Sequence, residues 1–218
     1  MAVECKGSVG CGLAMQPNPF STRFIQPGAI PYQFFNGENA NKLAQQFLSM
    51  KSKRGIIVGP HGSGKSTLVA TILQEIATLS PKLSTHSVRF STNQSPARAL
   101  RSSLAQWQPN SVVVLDGYEQ LSLWSRWQAD RRARSQSVSI LATAHQPVRG
   151  FDLLWQTSVD ENSSRWVVEK LLVQAGAVAS VETLVDSAAW QRSREQHGQN
   201  LRESLFDMYD WWQSIEAR

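Results

Sequence analysis

Cysteine is scarce in this 218-residue chain: there are two, Cys5 and Cys11, both in an N-terminal stretch rich in glycine and serine. No further thiol exists to complete a zinc set or a disulfide framework, so free thiols in a reducing compartment are expected. Long hydrophobic runs are also lacking. The first twenty residues include Glu4 and Lys6 and hold no unbroken apolar segment of the secretory kind. No later stretch approaches the roughly 20 residues of a membrane span. The expectation is a soluble, cytoplasmic protein. No internal repeat or low-complexity tract stands out. Charge of one sign is not in short supply but is unevenly spread: 22 Lys and Arg stand against 17 Asp and Glu, for a net charge of +5. Basic residues gather at Lys51, Lys53 and Arg54 and again at Arg126, Arg131, Arg132 and Arg134, whereas the C-terminal stretch carries Glu195, Glu203, Asp207, Asp210 and Glu216. Such a balance permits contact with polyanions without establishing it.

What the chain does have is the run Gly59-Pro60-His61-Gly62-Ser63-Gly64-Lys65-Ser66-Thr67. It follows the short apolar run Gly55 to Val58 and precedes the helical pattern Leu68 to Leu79, the strand–loop–helix context of a phosphate-binding loop. Glycines at 59, 62 and 64 let the backbone curl with its N–H groups inward around a β-phosphate, where a Cβ would crowd the ligand. Lys65 is placed to reach the β- and γ-phosphates, and Ser66 offers a hydroxyl to Mg²⁺. A nucleoside triphosphate binder with 59–67 as its cofactor-binding loop is the expectation. No Asn/Thr-Lys-x-Asp guanine signature is present, which points to ATP.

The rest of the chain falls into three parts. Residues 1–38 comprise a flexible leader over 1–16 and an extended, proline- and aromatic-rich segment from Pro17 to Phe35, expected to pack on the nucleotide core. Residues 39–160 alternate: a helix over Asn39 to Met50, then strands at Gly55 to Val58, His86 to Ser91, Ser111 to Asp116, Val138 to Thr143 and Leu153 to Ser158. Helices are expected from Lys65, over Pro96 to Trp107 with Ser95 as N-cap, and near Glu119 to Arg134. Strands separated by helical crossovers predict an α/β three-layer sandwich around a five-stranded parallel sheet. Residues 161–218 read as a small helical lid, with helices over Arg165 to Ala175, Val181 to Ser193 and Asn200 to Ile215 and a break at Gly198.

Val112-Val113-Val114-Leu115-Asp116 is an apolar strand ending in a carboxylate, the acid that a phosphate-loop protein needs to hold Mg²⁺ opposite Ser66. Ser66 and Asp116 are therefore the candidate metal side. The residue after Asp116 is Gly117 rather than Glu, and Glu119 is the nearest group able to polarise an attacking water. Its other reading is an acidic residue favouring a helix N-terminus. Strand four ends in Ile140-Leu141-Ala142-Thr143-Ala144-His145, at the end of a parallel sheet where ligands bind. His145 reads either as a γ-phosphate sensor acting through water or as a polar turn residue.

With these motifs the chain resembles the AAA+ branch of P-loop ATPases from about Asn39 onward. The resemblance implies a core followed by a helical lid, hydrolysis of ATP with Mg²⁺, and His145 in the sensor position usually held by Asn. It implies a second sensor in Gly198-Gln199-Asn200-Leu201-Arg202-Glu203, with Arg202 folding over the γ-phosphate; otherwise Arg202 is a surface pairing or capping residue. It also implies a homo-oligomer in which an arginine finger acts in trans, with Arg149 in that interval and Arg165 as a second choice. The short lid and the missing acid after Asp116 depart from the pattern and bear on hydrolysis more than on binding.

Two other readings stand beside this one. A small P-loop kinase would use Asp130-Arg131-Arg132-Ala133-Arg134 to clamp phosphates, but Arg89 to Asn93 offers no carboxylate for an acceptor hydroxyl. Sheet order separates the two, since a strand inserted between the loop strand and the Asp116 strand marks the ATPase branch. A non-hydrolysing nucleotide switch would suit Gly117. No Leu-Ser-Gly-Gly-type run precedes Val112, which disfavours a transporter ATPase. Of the eight tryptophans, Trp124 and Trp127 fall with four arginines on one helix. They read either as a surface for bases and phosphates or as Leu121 and Trp124 packing inward with the arginines solvated. Tyr32 reads as a core aromatic or as a stacking partner for the base. Leu201, Leu205, Met208 and Trp212 read as lid core.

Overall fold

The computed structural model describes residues 17–35, 37–91, 94–177, 179 and 181–216, so the expected leader with Cys5 and Cys11 lies outside the described residues. Five strands, β1 (Arg54–Val58), β2 (Thr85–Arg89), β3 (Val112–Asp116), β4 (Ser139–Ala144) and β5 (Asp152–Gln156), form one sheet in the order β2-β3-β4-β1-β5. Every pairing is parallel. A parallel sheet needs crossovers and is covered on both faces, so its central strands are apolar throughout rather than alternating. In β3 that is literal: Val112 to Leu115 are each no more than 1% exposed. Val113 and Leu115 pack into one layer with α3 (Pro96–Leu104) and α4 (Leu123–Gln136), while Val112 and Val114 pack into the other with α1 (Ala40–Ser49) and α2 (Lys65–Leu79). β4 lies between β1 and β3, the inserted-strand order that favours the ATPase branch over a kinase.

Local signals set the helix limits. Asn39 caps α1 by accepting from the Lys42 N–H. The helix expected from Glu119 is interrupted: a single 3-10 turn spans Tyr118–Gln120, and α4 begins only after Ser122, whose hydroxyl accepts from the Ser125 N–H. A serine N-cap satisfies an orphan donor and so favours a fresh start there. α3 ends at Leu104, short of Trp107, which is buried all the same.

Among the described residues the C-terminal part is helical, with α5 (Glu161–Ala175), α6 (Val181–Val185), α7 (Ala188–His197) and α8 (Leu201–Glu216). The helix expected over Val181 to Ser193 is divided because Ser187 accepts from the Trp190 N–H and caps α7. These helices enclose a cluster that includes Val168, Leu171, Trp190, Leu205 and Met208. The segment before α1 was expected to pack on the nucleotide core, yet it divides between two cores. Phe20 and Ile30 are buried in the C-terminal helical cluster, with the Phe20 ring 6.0 Å edge-on from Trp212. Asn18 Nδ2 donates to the Tyr209 carbonyl and Gln174 Nε2 to the Ala29 carbonyl. Tyr32 and Phe34 pack instead against the α1/α2 side of the sheet. Residues 17–35 therefore tie the helices to the sheet, since their aromatics have apolar partners on both sides. No helix among the described residues is long and apolar enough to cross a membrane.

Candidate nucleotide site

At the carboxyl ends of β1, β3 and β4 the sheet opens into a cleft of about 420 Å³. The loop 59–64 leaves β1 and runs straight into α2, whose N-terminus is Lys65. An α-helix N-terminus presents unpaired N–H groups and a partial positive charge to whatever sits before it. The loop's glycines are required by the protein itself as well as by any ligand. Gly62 has φ +67°, and a Cβ there would overlap the side chain of Asn200. A Cβ on Gly59 would run into the Thr157 hydroxyl, which hydrogen-bonds with Ser63 Oγ at 2.6 Å. Lys65 Nζ folds back to donate to the carbonyls of Gly59 and Pro60, both at 2.6 Å. Burial pushes its pKa below the ordinary value, Glu119 and Asp116 draw it back up, and Arg202 lowers it again. His61, Gly62, Ser63, Gly64, Lys65, Ser66 and Thr67 all line the cleft.

Sheet register builds the opposite wall. Arg89 of β2 pairs with Asp116 of β3, and Asp116 with Thr143 of β4, so three polar side chains stand in a row along the sheet's end. Asp116 Oδ2 accepts from Ser66 Oγ at 2.9 Å and from Arg89 Nε at 3.0 Å, and Oδ1 accepts from Thr143 Oγ1 at 2.6 Å. One hydroxyl and one carboxylate thus converge, an oxygen pair of the sort a hard cation such as Mg²⁺ takes. Sequence reasoning missed the roles of Arg89 and Thr143 as partners of Asp116. A hydroxyl near the end of the β4 apolar run was the available signal for Thr143, whereas Arg89 needed the strand order.

Glu119 and His145 meet at the rim, with Glu119 Oε1 3.4 Å from His145 Nδ1. The other carboxylate oxygen, Oε2, is buried with no hydrogen-bond partner. The His61 and His145 rings lie 3.9 Å apart between centroids. Burial lowers the His145 pKa, Glu119 opposes the shift, and His61 and Lys65 add to it. Neutral imidazole is therefore the favoured form at neutral pH.

The last wall comes from afar in sequence. Leu201, Arg202 and Leu205 of α8 line the cleft with Trp166 and Val167 of α5. Gln199 Oε1 accepts from the Val159 N–H at 2.8 Å, tying the α8 approach to the chain leaving β5. Asn200 Oδ1, buried and without a hydrogen-bond partner, presses on Gly62; no sequence signal marked it. Tyr32 packs against the α1/α2 core, as its core reading has it, and also lines the cleft, its hydroxyl accepting from Trp155 Nε1 at 3.4 Å. Arg149 is exposed and does not line the cleft, and Arg165 pairs with Glu182 at 2.7 Å outside it.

This strand order, loop and facing acid define the fold of an AAA+-type P-loop NTPase. Among solved structures the chain is similar to the RuvB Holliday junction branch migration motor of Thermotoga maritima, at 13% identity and a TM-score of 0.56, over 79% of this chain and 60% of that one. A single-residue variant of the same organism's RuvB is similar at 12% identity and a TM-score of 0.55, over the same shares. At such identities the likeness is one of fold, and the chain spans about 60% of the length of those structures. No protein-family model and no curated protein sequence matches the chain.

Proposed function

We propose that this chain is a small AAA+-like ATPase that binds ATP in the cleft and hydrolyses it to ADP and phosphate. The reading is carried by one observation: the phosphate loop from His61 onward, the Ser66–Asp116 pair, the Glu119–His145 pair and Arg202 all border one cavity, though they come from positions 61 to 202. Lys65 exchanges the Gly59 and Pro60 carbonyls for the β- and γ-phosphates. Mg²⁺, held by Ser66 and Asp116, would neutralise charge on the β- and γ-oxygens. Glu119, with Oε2 unpartnered, accepts a proton from a water as its oxygen bonds to the γ-phosphorus and the bond to the β,γ-bridging oxygen breaks. Neutral His145 orients that water, and Arg202 contacts the γ-phosphate so that α8 follows nucleotide state. Residues 161–218 then serve as a lid. Arg149, exposed outside its own cleft, is the finger offered to a neighbouring copy in a homo-oligomer.

Steady-state phosphate release by the wild type beside Lys65→Ala, over a range of protein concentrations, tests this. The expected result is a loss of at least about 100-fold in Lys65→Ala, with wild-type turnover per subunit rising with concentration. Tight nucleotide binding without turnover at any concentration would replace the enzyme with a nucleotide switch. That second reading draws on Gly117 following Asp116 and on Glu119 Oε1 being engaged by His145.

A further inference from the structure

Away from the cleft, α4 leaves one face uncovered. Ser125, Ala129 and Ala133 are its buried positions. At about 100° per residue, Leu123, Trp124, Trp127, Arg131 and Arg134 fall within roughly a third of the circumference on the other side. Leu123 is 82% exposed, Trp124 64% and Trp127 47%, so the expectation that Trp124 packs inward is wrong; only Leu121, before the helix, does. Helix spacing alone allowed either face, and Ala129 and Ala133 take the inner one, buried in the cluster that holds Val113, Leu115 and Ile140.

The outer face is organised. The Trp124 and Trp127 rings stack with centroids 4.7 Å apart and planes 20° off parallel. The Arg131 guanidinium lies 5.5 Å over the Trp127 ring. Asp130, the one carboxylate on α4, is bonded to Arg54, and among the described residues neither Arg131 nor Arg134 has a carboxylate partner. The stripe therefore offers an open indole face beside two uncompensated cations. A second copy or another apolar protein surface would have to bury those cations, and five side chains on one helix fall far short of the about 20–30 residues a side of a stable interface. An unpaired polynucleotide matches both features, because its bases stack on aromatic rings and its phosphates pair with arginine. Trp and Arg side chains donate hydrogen bonds and accept none. The flanking Ser122 and Ser135 hydroxyls are engaged with Ser125 and with the Arg132 carbonyl. Among the stripe's own tryptophan and arginine side chains a ribose 2′-hydroxyl finds no acceptor.

We propose that the outward stripe of α4 binds single-stranded DNA, one base stacking on Trp124 and the adjoining phosphates pairing with Arg131 and Arg134. This does not depend on the nucleotide reading. The test is fluorescence anisotropy of a labelled 20-mer of thymidylate titrated with the full chain over a salt series. Trp124→Ala is expected to weaken binding by roughly 5- to 100-fold, with its thermal melt unchanged because the ring is exposed. Arg131→Gln with Arg134→Gln is expected to reduce the slope of log affinity on log salt by about 1.4. Lys65→Ala is expected to bind the oligonucleotide as the wild type does, which separates this face from the phosphate loop. No binding by the wild type, or equal binding by Trp124→Ala, overturns the proposal. Equal or tighter binding of a uridylate 20-mer overturns the assignment to DNA. Loss of self-association in Trp124→Ala with DNA binding intact gives the face to a second copy instead.

Discussion

Asp116 and Arg202 border the same cleft, but they are held there by different forces. Asp116 ends a strand that is hydrogen-bonded in register to β2 on one side and β4 on the other, and its carboxylate is fixed by three further donors. Arg202 rides on the first turn of α8, held chiefly by Leu205, Met208 and Trp212 packing around Phe20, with Gln199 and Asn18 as polar tethers. Directional ladders resist displacement one bond at a time, whereas apolar contacts are non-directional and tolerate sliding. The sheet side is thus suited to holding geometry and the helical side to changing it.

The largest effect should separate the two sides outright. Met208 is fully buried in the C-terminal cluster, and Met208→Ala is expected to cost about 2–5 kcal/mol. Hydrogen exchange should speed up in α5 to α8 while the amides of β1, β3 and β4 keep their protection; uniform loss would show that the molecule opens as one unit. Gly62→Ala probes where the sides touch. The left-handed backbone costs about 1–2 kcal/mol for a Cβ-bearing residue, and the overlap with Asn200 adds to it. Adding Asn200→Ala should restore part of the melting temperature, and no recovery would mean that α8 does not press on the loop. Arg202→Ala should lower phosphate release by about 10-fold or more and leave the melting temperature unmoved, because the side chain is exposed.

The smallest effect is in pH. His145 titrates below its ordinary 6.5, mainly through burial. Between that depressed value and 6.5 the unfolded chain binds more protons than the folded one, so stability rises with pH there. The contribution is complete above 6.5 and is lost as pH falls through the folded value. Denaturant midpoints measured from pH 7.5 down to 5 should show that decline in the wild type and a flatter line in His145→Gln.

Much of the sheet side could be read in advance. Lys65 and Ser66 lie next to each other in a local motif, and Asp116 ends an apolar run, so their contribution to the cleft follows from short-range pattern plus the rule that parallel strands end together. The limits of α4 and α7 were also written locally, in Ser122 and Ser187, but those caps compete with continuous helical periodicity and were overlooked. The partners of Asp116 were a different matter. Arg89 and Thr143 sit 27 residues to either side of it, and only the pairing of β2, β3 and β4 makes them neighbours. Trp124 was unreadable for another reason: a helix with apolar residues on two faces does not reveal which one its sheet will accept.

The amino-acid sequence by itself determined the phosphate loop, the strand–helix alternation and the acid at the end of β3, because each depends on backbone geometry and burial within a few consecutive residues. Tertiary structure alone decided that β4 lies between β1 and β3, that Asn200 and Arg202 close on Gly62, that residues 17–35 bridge two cores, and that the tryptophans of α4 face outward. Those outcomes depend on how whole elements share a limited apolar surface, a competition among distant segments that no local pattern encodes.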